Sequence, residues 1–315
     1  MRYRGSEEAY VERVKIAGIR RLSVNGVRRA ISFSAGIGGH VKIVLDQAQD
    51  PNSTMTSTAS RTNVLITGTK AGIGLGLLAL YASRSDTTVL AAVRDAPDSA
   101  IAKSMLSSIT KLGTNSRVVP VRYDASNLTS ARSMVEITKK QHPEIDHLDL
   151  VIANAAINSQ LGPVADVTAE ELENHLRVNA TAPALLYQAT RDLLLKTPAE
   201  VVPGPRFIYI STVAASLERT PSLPFPNIAY MMSKAAGNFF VVKANMEEDR
   251  LALVAVHPGW VQTEQGNKVA KKYGLEKAPM TIEDCCKKLA DIGDKATKAD
   301  MGGTFQTVDG GTLPW

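Results

Sequence analysis

From position 63 onward, apolar residues come in short dense runs, separated by stretches in which they recur every three to four positions. The runs at 63–67, 87–93, 117–121, 148–153, 207–210 and 251–256 are rich in Val, Ile, Leu and Ala and too short for helices. Runs without polar alternation predict strands buried on both faces. A seventh strand is expected at 304–308. The spacing between runs predicts helices at 73–84, 101–112, 128–140, 169–177, 182–195 and 230–246. Strands alternating with helices imply an α/β fold, a parallel sheet covered on both faces. No linker or internal repeat interrupts 61–315, which is expected to be a single domain.

Residues 1–60 lack this pattern. The segment 1–54 carries nine Lys/Arg against five Asp/Glu, with no acid between Arg13 and Leu45. It reads as a disordered extension or as the product of a start codon placed too early, Met55 being the alternative start. An Arg-rich, acid-poor stretch also resembles a mitochondrial transit peptide, although Glu7, Glu8 and Glu12 stand against that. The remainder is nearly neutral, with 27 Lys/Arg and 26 Asp/Glu, and aromatics are only 5%. That balance gives no electrostatic argument for nucleic acid. No apolar run is long enough for a membrane span. The two cysteines, Cys285 and Cys286, are adjacent and form no disulfide framework, which favours a reducing compartment and a cytoplasmic location. The five histidines show no metal-ligand spacing; His142 and His147 flank a polar turn and are expected in solvent.

Two motifs carry chemistry. The first, Thr67-Gly68-Thr-Lys70-Ala-Gly72-Ile73-Gly74, joins the first strand to the first helix. Glycines there permit a tight turn and let a pyrophosphate approach backbone N–H groups at a helix N-terminus. The second, Tyr230-Met-Met-Ser-Lys234, places a phenol and an ammonium one helical turn apart. A cation so placed is expected to lower the tyrosine pKa and make it a usable general acid or base.

In this order and spacing the two motifs resemble the short-chain dehydrogenase/reductase family, and the resemblance spans about 61–315. Further matches are Asn154-Ala155-Ala156 after the fourth strand, Asn179 in a helix, Asp124 after the third strand, and Pro258-Gly259-Trp-Val261-Gln-Thr263 after the sixth. The resemblance implies a Rossmann-type doubly wound sheet and a dinucleotide held by Gly68, Lys70, Gly72, Ile73, Gly74, Arg94, Asp124, Asn154, Lys234, Pro258, Val261 and Thr263. It also implies catalysis by Tyr230 and Lys234, a relay water anchored by Asn179, and a carbonyl-binding hydroxyl at the end of the fifth strand. Either Thr212 or Ser211 takes that place, because Thr212 stands where the family commonly has serine. Ala156 replaces a usual glycine. The loop from 213 to 229, with Pro221, Pro224 and Pro226, is expected to line the substrate pocket.

Arg94, at the end of the second strand, can bind a 2′-phosphate bidentately and so favours NADP; Asp95 beside it could instead grip the ribose of NAD. The resemblance thus implies NADPH-dependent reduction of a small-molecule ketone to a secondary alcohol. The ending Asp309-Gly-Gly-Thr-Leu-Pro-Trp315 and the segment His257-Pro-Gly-Trp260-Val-Gln-Thr263 are similar to fungal norsolorinic-acid-ketoreductase-type enzymes. Arg94 stands where carbonyl reductases place a basic residue. This subgroup likeness implies an aromatic polyketide or a related secondary metabolite. Alternatives are a non-catalytic NADP-binding protein, and an epimerase or dehydratase without net cofactor use. Family members form homodimers or homotetramers through two long helices, here 182–195 and 230–246.

Overall fold

The computed structural model describes residues 61–159, 162–223 and 225–315. The readings made for 1–60 lie outside them, as does Pro224. Seven strands form one sheet in the order β3-β2-β1-β4-β5-β6-β7, with every neighbouring pair parallel. They are β1 (Thr62–Thr67), β2 (Thr87–Val93), β3 (Arg117–Arg122), β4 (Leu150–Ala153), β5 (Arg206–Ile210), β6 (Ala252–His257) and β7 (Phe305–Thr307). The ladder is in register across the centre: Val64 pairs with Val89 on one side and Leu150 on the other.

Alternation along each strand divides the core into two layers. Val64, Ile66, Val89 and Ile152 face α1 (Gly72–Ala82), α2 (Ala100–Ser107) and α8 (Ile282–Lys295), where Leu77, Met105 and Leu289 meet them. Leu65, Leu90, Val151 and Phe207 face α3 (Ser130–Gln141), α5 (Ala182–Leu195) and α6 (Ile228–Met246), through Met134, Leu186 and Val241. Apolar residues on both sides of each central strand explain why these runs lack polar alternation.

Three local features depart from the sequence reading. The helix expected over 101–112 stops at Ser107, and the Ser108 hydroxyl turns back to the Met105 carbonyl at 2.6 Å. Gly113 then pairs with the Ala82 carbonyl, where a Cβ would lie 1.9 Å from the Arg84 oxygen. Two further helices, α7 (Glu264–Lys272) and α8, follow threonine caps: Thr263 Oγ1 accepts from Gly266 N at 2.9 Å and Thr281 Oγ1 from Asp284 N at 3.0 Å. Lastly, α4 (Ala169–Leu176) and α5 are not separated by a loop. A π turn, Arg177–Thr181, joins them, and Pro183 follows at the start of α5. The wider turn accommodates an imide that cannot donate.

His147 is not in solvent. Its side chain is 14% exposed and lies 2.7 Å from Asp146 Oδ1 and 3.4 Å from Asp149 Oδ2. Asp149 also accepts the Asn63 N–H at 2.8 Å, so this cluster ties the N-terminal ends of β1 and β4. The bond to Asp149, with that to Asp146, outweighs burial and lifts the imidazole from 6.5 to about 9. A raised folded-state pKa stabilises fully below about 6.5, and that contribution is lost as pH rises through about 9. We expect the stability gap between the wild type and His147→Gln to close between those limits, as read from denaturant midpoints at pH 6 and 9.5.

Candidate active site

The strand order reverses between β1 and β4, so the loops leaving their C-terminal ends part and open a crevice. The cleft there holds about 630 Å³ and is walled by the β1–α1 loop, the ends of β2, β3 and β4, and α6. Gly68 and Gly72 turn the first of these loops with φ of +72° and +58°, a region other residues rarely adopt. Gly74 lies against the loop it follows: a Cβ there would sit 2.2 Å from the Gly68 carbonyl and 2.7 Å from Asn154 Nδ2. No side chain caps the start of α1 and no acid occupies its first turn. Ala71, Gly72 and Ile73 therefore present unpaired amides and the positive helix end to the cleft, beside Lys70. This cradle fits a pyrophosphate.

Asn154 forms the facing wall and is held by Thr67. Its Nδ2 donates to the Thr67 carbonyl at 2.9 Å, while Thr67 Oγ1 accepts the N–H groups of Asn154 and Ala155, both at 3.0 Å. At the far end Arg94, Asp95 and Asp124 line the cleft. Asp124 Oδ1 is engaged by Ser126, whose N–H and hydroxyl donate to it at 3.0 and 2.7 Å. Pro258 and Thr263 line the other end. Val261 does not: it is buried in the layer beneath and bridges to Met280. Gly74 and Asn179 likewise act from behind the wall.

Tyr230 and Lys234 stand one turn apart on α6, whose start is fixed by Asn227 accepting the Tyr230 N–H at 3.4 Å. Burial pushes the Tyr230 phenol up to about 12, opposed by its hydrogen bond with the Thr212 side chain. Lys234 is also buried, and desolvation brings it down to about 7. The net lowering of the tyrosine expected from the spacing does not prevail here, because burial leaves the phenol raised. Lys234 Nζ turns to the Ile210 carbonyl at 2.7 Å and lies 6.0 Å from the Tyr230 ring centroid.

Ser211 and Thr212 point to different partners. The Ser211 hydroxyl donates to Asn238 Oδ1 on α6 at 2.6 Å and is buried. Thr212 reaches Tyr230 and opens the turn Val213–Ala215. Asn179, in the π turn, uses its whole side chain. Its Oδ1 accepts from Ile157 N at 2.9 Å, and its Nδ2 donates to Ile157 O at 2.9 Å and Ser233 Oγ at 3.0 Å. Thr67 and Ser233 lie inside the two motifs but carry no role in the sequence reading, and Tyr209 and Asn238 lie in a strand and a helix with no motif to mark them. Beyond the catalytic end, Phe225 packs edge-on against Trp260 and Tyr273, at centroid distances of 6.4 and 5.4 Å.

Comparison with known proteins agrees with this fold. The family model described as short chain dehydrogenase matches residues 62–274. A norsolorinic acid ketoreductase of Dothistroma septosporum is 33% identical over 260 residues, covering 82% of this chain and 94% of its own. The short-chain dehydrogenase RED3 of Pyricularia oryzae is 35% identical, covering 81% and 98%. Among solved structures, an NADPH-bound carbonyl reductase from chicken fatty liver superposes with a TM-score of 0.68 at 25% identity, covering 81% of this chain and 99% of its own.

The glycine loop yields a direct test. Gly74→Ala should cost about 1–3 kcal/mol through forced displacement of the loop and weaken dinucleotide binding. Gly162→Ala, where a Cβ meets nothing within 4 Å, should change neither. Thermal melts and titration calorimetry check both.

Proposed function

The chain belongs to the short-chain dehydrogenase family, and we propose from that premise that it reduces a ketone to a secondary alcohol at the expense of NADPH. The observation that carries this reading is the Tyr230 phenol at the cleft wall, with the Lys234 ammonium one turn behind it. Bound NADPH supplies the hydride. Tyr230 Oη gives its proton to the carbonyl oxygen; a phenol near 12 carries that proton at neutral pH, as an acid must. The Thr212 hydroxyl donates to the same oxygen as negative charge develops there. Lys234 holds a positive charge behind the phenol and so favours the phenolate left after transfer. Asn179 keeps the β4 loop and α6 at a fixed separation and anchors the water through which a proton returns to Tyr230.

The residues holding the cofactor are Gly68, Gly72 and Ile73 at the pyrophosphate, with Gly74 packed behind their loop, Asn154, Pro258 and Thr263 around the nicotinamide half, supported by Val261 from the layer beneath, and Asp124 at the adenine. Arg94 and Lys70 favour NADP, since both line the cleft and either can neutralise a 2′-phosphate. The aromatic trio of Phe225, Trp260 and Tyr273, and the norsolorinic acid ketoreductases among the relatives, support an aromatic ketone of secondary metabolism as substrate. Self-association into a homodimer or homotetramer is supported by α6, where Met232, Phe239 and Met246 recur every seven residues and are exposed. No helix among the described residues is long and apolar enough to cross a membrane. The free thiols Cys285 and Cys286 support a cytoplasmic location.

The deciding assay follows NADPH absorbance over a panel of aromatic ketones. Turnover with net NADPH consumption supports the reading; binding without turnover, or product without consumption, opposes it. Tyr230→Phe should lower kcat by about 10²–10⁴ and leave NADPH binding intact. Thr212→Val should lower it by about 10²–10³, whereas Ser211→Ala, whose hydroxyl faces Asn238, should be mild. The reverse order would transfer the donor role to Ser211. Arg94→Ala should raise the dissociation constant for NADPH far more than that for NADH; equal weakening would remove Arg94 from cofactor choice.

A further inference from the structure

Lys234 is a buried ammonium without a carboxylate. Its residue is 1% exposed, and among the described residues no acid pairs with it. Its hydrogen bond goes to the Ile210 carbonyl at 2.7 Å. A charge so placed is costly unless the protein replaces the lost water. What the ammonium meets is an aromatic face: Nζ stands 4.7 Å from the ring centroid of Tyr209. That lies within the distance at which a ring quadrupole attracts a cation. Tyr209 precedes Ile210 on β5, so one strand end supplies both the carbonyl and the ring.

The ring is fixed in that attitude. Tyr209 is fully buried, and its Oη donates to the Asn179 backbone carbonyl at 2.7 Å. Gly237, three residues after Lys234 on α6, makes room for it: a Cβ there would lie 2.2 Å from Tyr209 Oη. Burial keeps this phenol well above its ordinary pKa, so the ring stays neutral. The titratable groups facing Lys234 are Tyr209 from β5 and Tyr230 from its own helix, and the π turn contributes the neutral Asn179.

We propose that Tyr209 is a positioning residue for Lys234: its ring face holds the ammonium charged and in place behind Tyr230, and its bond to the Asn179 carbonyl locks the ring. The inference rests on the reading of Lys234 as part of a reductase site. Burial has already brought this amine to about 7, so weakening the ring's attraction tips it to the neutral form at physiological pH.

The test compares two full-length variants that both lack the hydroxyl and share a shape: Tyr209→Phe, and pentafluorophenylalanine installed at position 209, whose ring quadrupole is reversed. Protein labelled with [15Nζ]lysine is titrated by NMR, the Lys234 resonance being assigned by its loss in Lys234→Arg. The fluorinated protein should titrate about one pH unit or more below Tyr209→Phe, and the high-pH limb of its kcat profile should move down with it. Coincident titrations overturn the proposal, since packing alone is the same in both. Absence of ketone turnover in the wild type would defeat the reductase reading and leave the NMR comparison standing. Turnover with coincident titrations would defeat only the role given to Tyr209.

Discussion

The hydroxyl of Thr67 sits where β1 must serve two neighbours whose loops part. On one side the chain continues the pairing with β2, since the Gly68 N–H still reaches the Ala92 carbonyl at 3.0 Å. On the other, the N–H groups of Asn154 and Ala155 leave the ladder at the cleft wall, the first keeping a bond to the Ile152 carbonyl at 3.0 Å. Thr67 Oγ1 accepts both and donates to the Ile152 carbonyl at 3.4 Å. Because one hydroxyl gathers both N–H groups, the width of the crevice at its root is set by hydrogen bonds and not by packing alone. The tight passage of Gly68, the position of Asn154 and the need for glycine at 74 follow from that separation.

Charge is distributed in keeping with this frame. The mouth of the cleft has fixed cations, Lys70 and Arg94, in contact with water. The depth has hydroxyls and amides that need no counter-ion, Thr212, Ser211, Asn179 and Ser233, each engaged by a protein partner. Lys234 is the exception, a cation at depth, and it is accommodated by a carbonyl and a ring. A carboxylate would have satisfied the ammonium more strongly but would have repelled the phenolate that an acid at Tyr230 leaves behind. An aromatic face stabilises the cation without adding a negative charge to the site.

How much of this can be read from sequence depends on which physical signal each residue carries. The strands are found to within about two residues because two-sided burial leaves an unbroken apolar run. The glycine loop and the Tyr230–Lys234 pair are legible because backbone conformation and helical period restrict residue type at fixed spacings. Helices α7 and α8 are less so: charged residues dominate them, and their start signals, Thr263 and Thr281, are single hydroxyls. The inward turn of His147 depends on Asp149, which reads as an ordinary strand-edge residue. The relation between Lys234 and Tyr230 is set by the lysine's rotamer, which a spacing cannot specify. Tyr209 is hidden for a related reason, since an aromatic in a strand looks like core whether or not a charge rests on it.

The π turn at Arg177–Thr181 has a bearing on how this chain can change over generations. An α-helix advances about 100° per residue, so the surplus backbone in that turn sets the phase of α5 relative to α4. Substitutions along α4 and α5 alter one face at a time. A gain or loss of a single residue between Ala169 and Ala182 would instead swing Asn179 away from Ile157 and Ser233, and with it the carbonyl on which Tyr209 is moored. The stretch is therefore permissive in composition and strict in length. Insertions and deletions in descendants of this sequence should accumulate in the exposed parts of the 213–227 loop or in the turn between α7 and α8, where no comparable phase has to be kept.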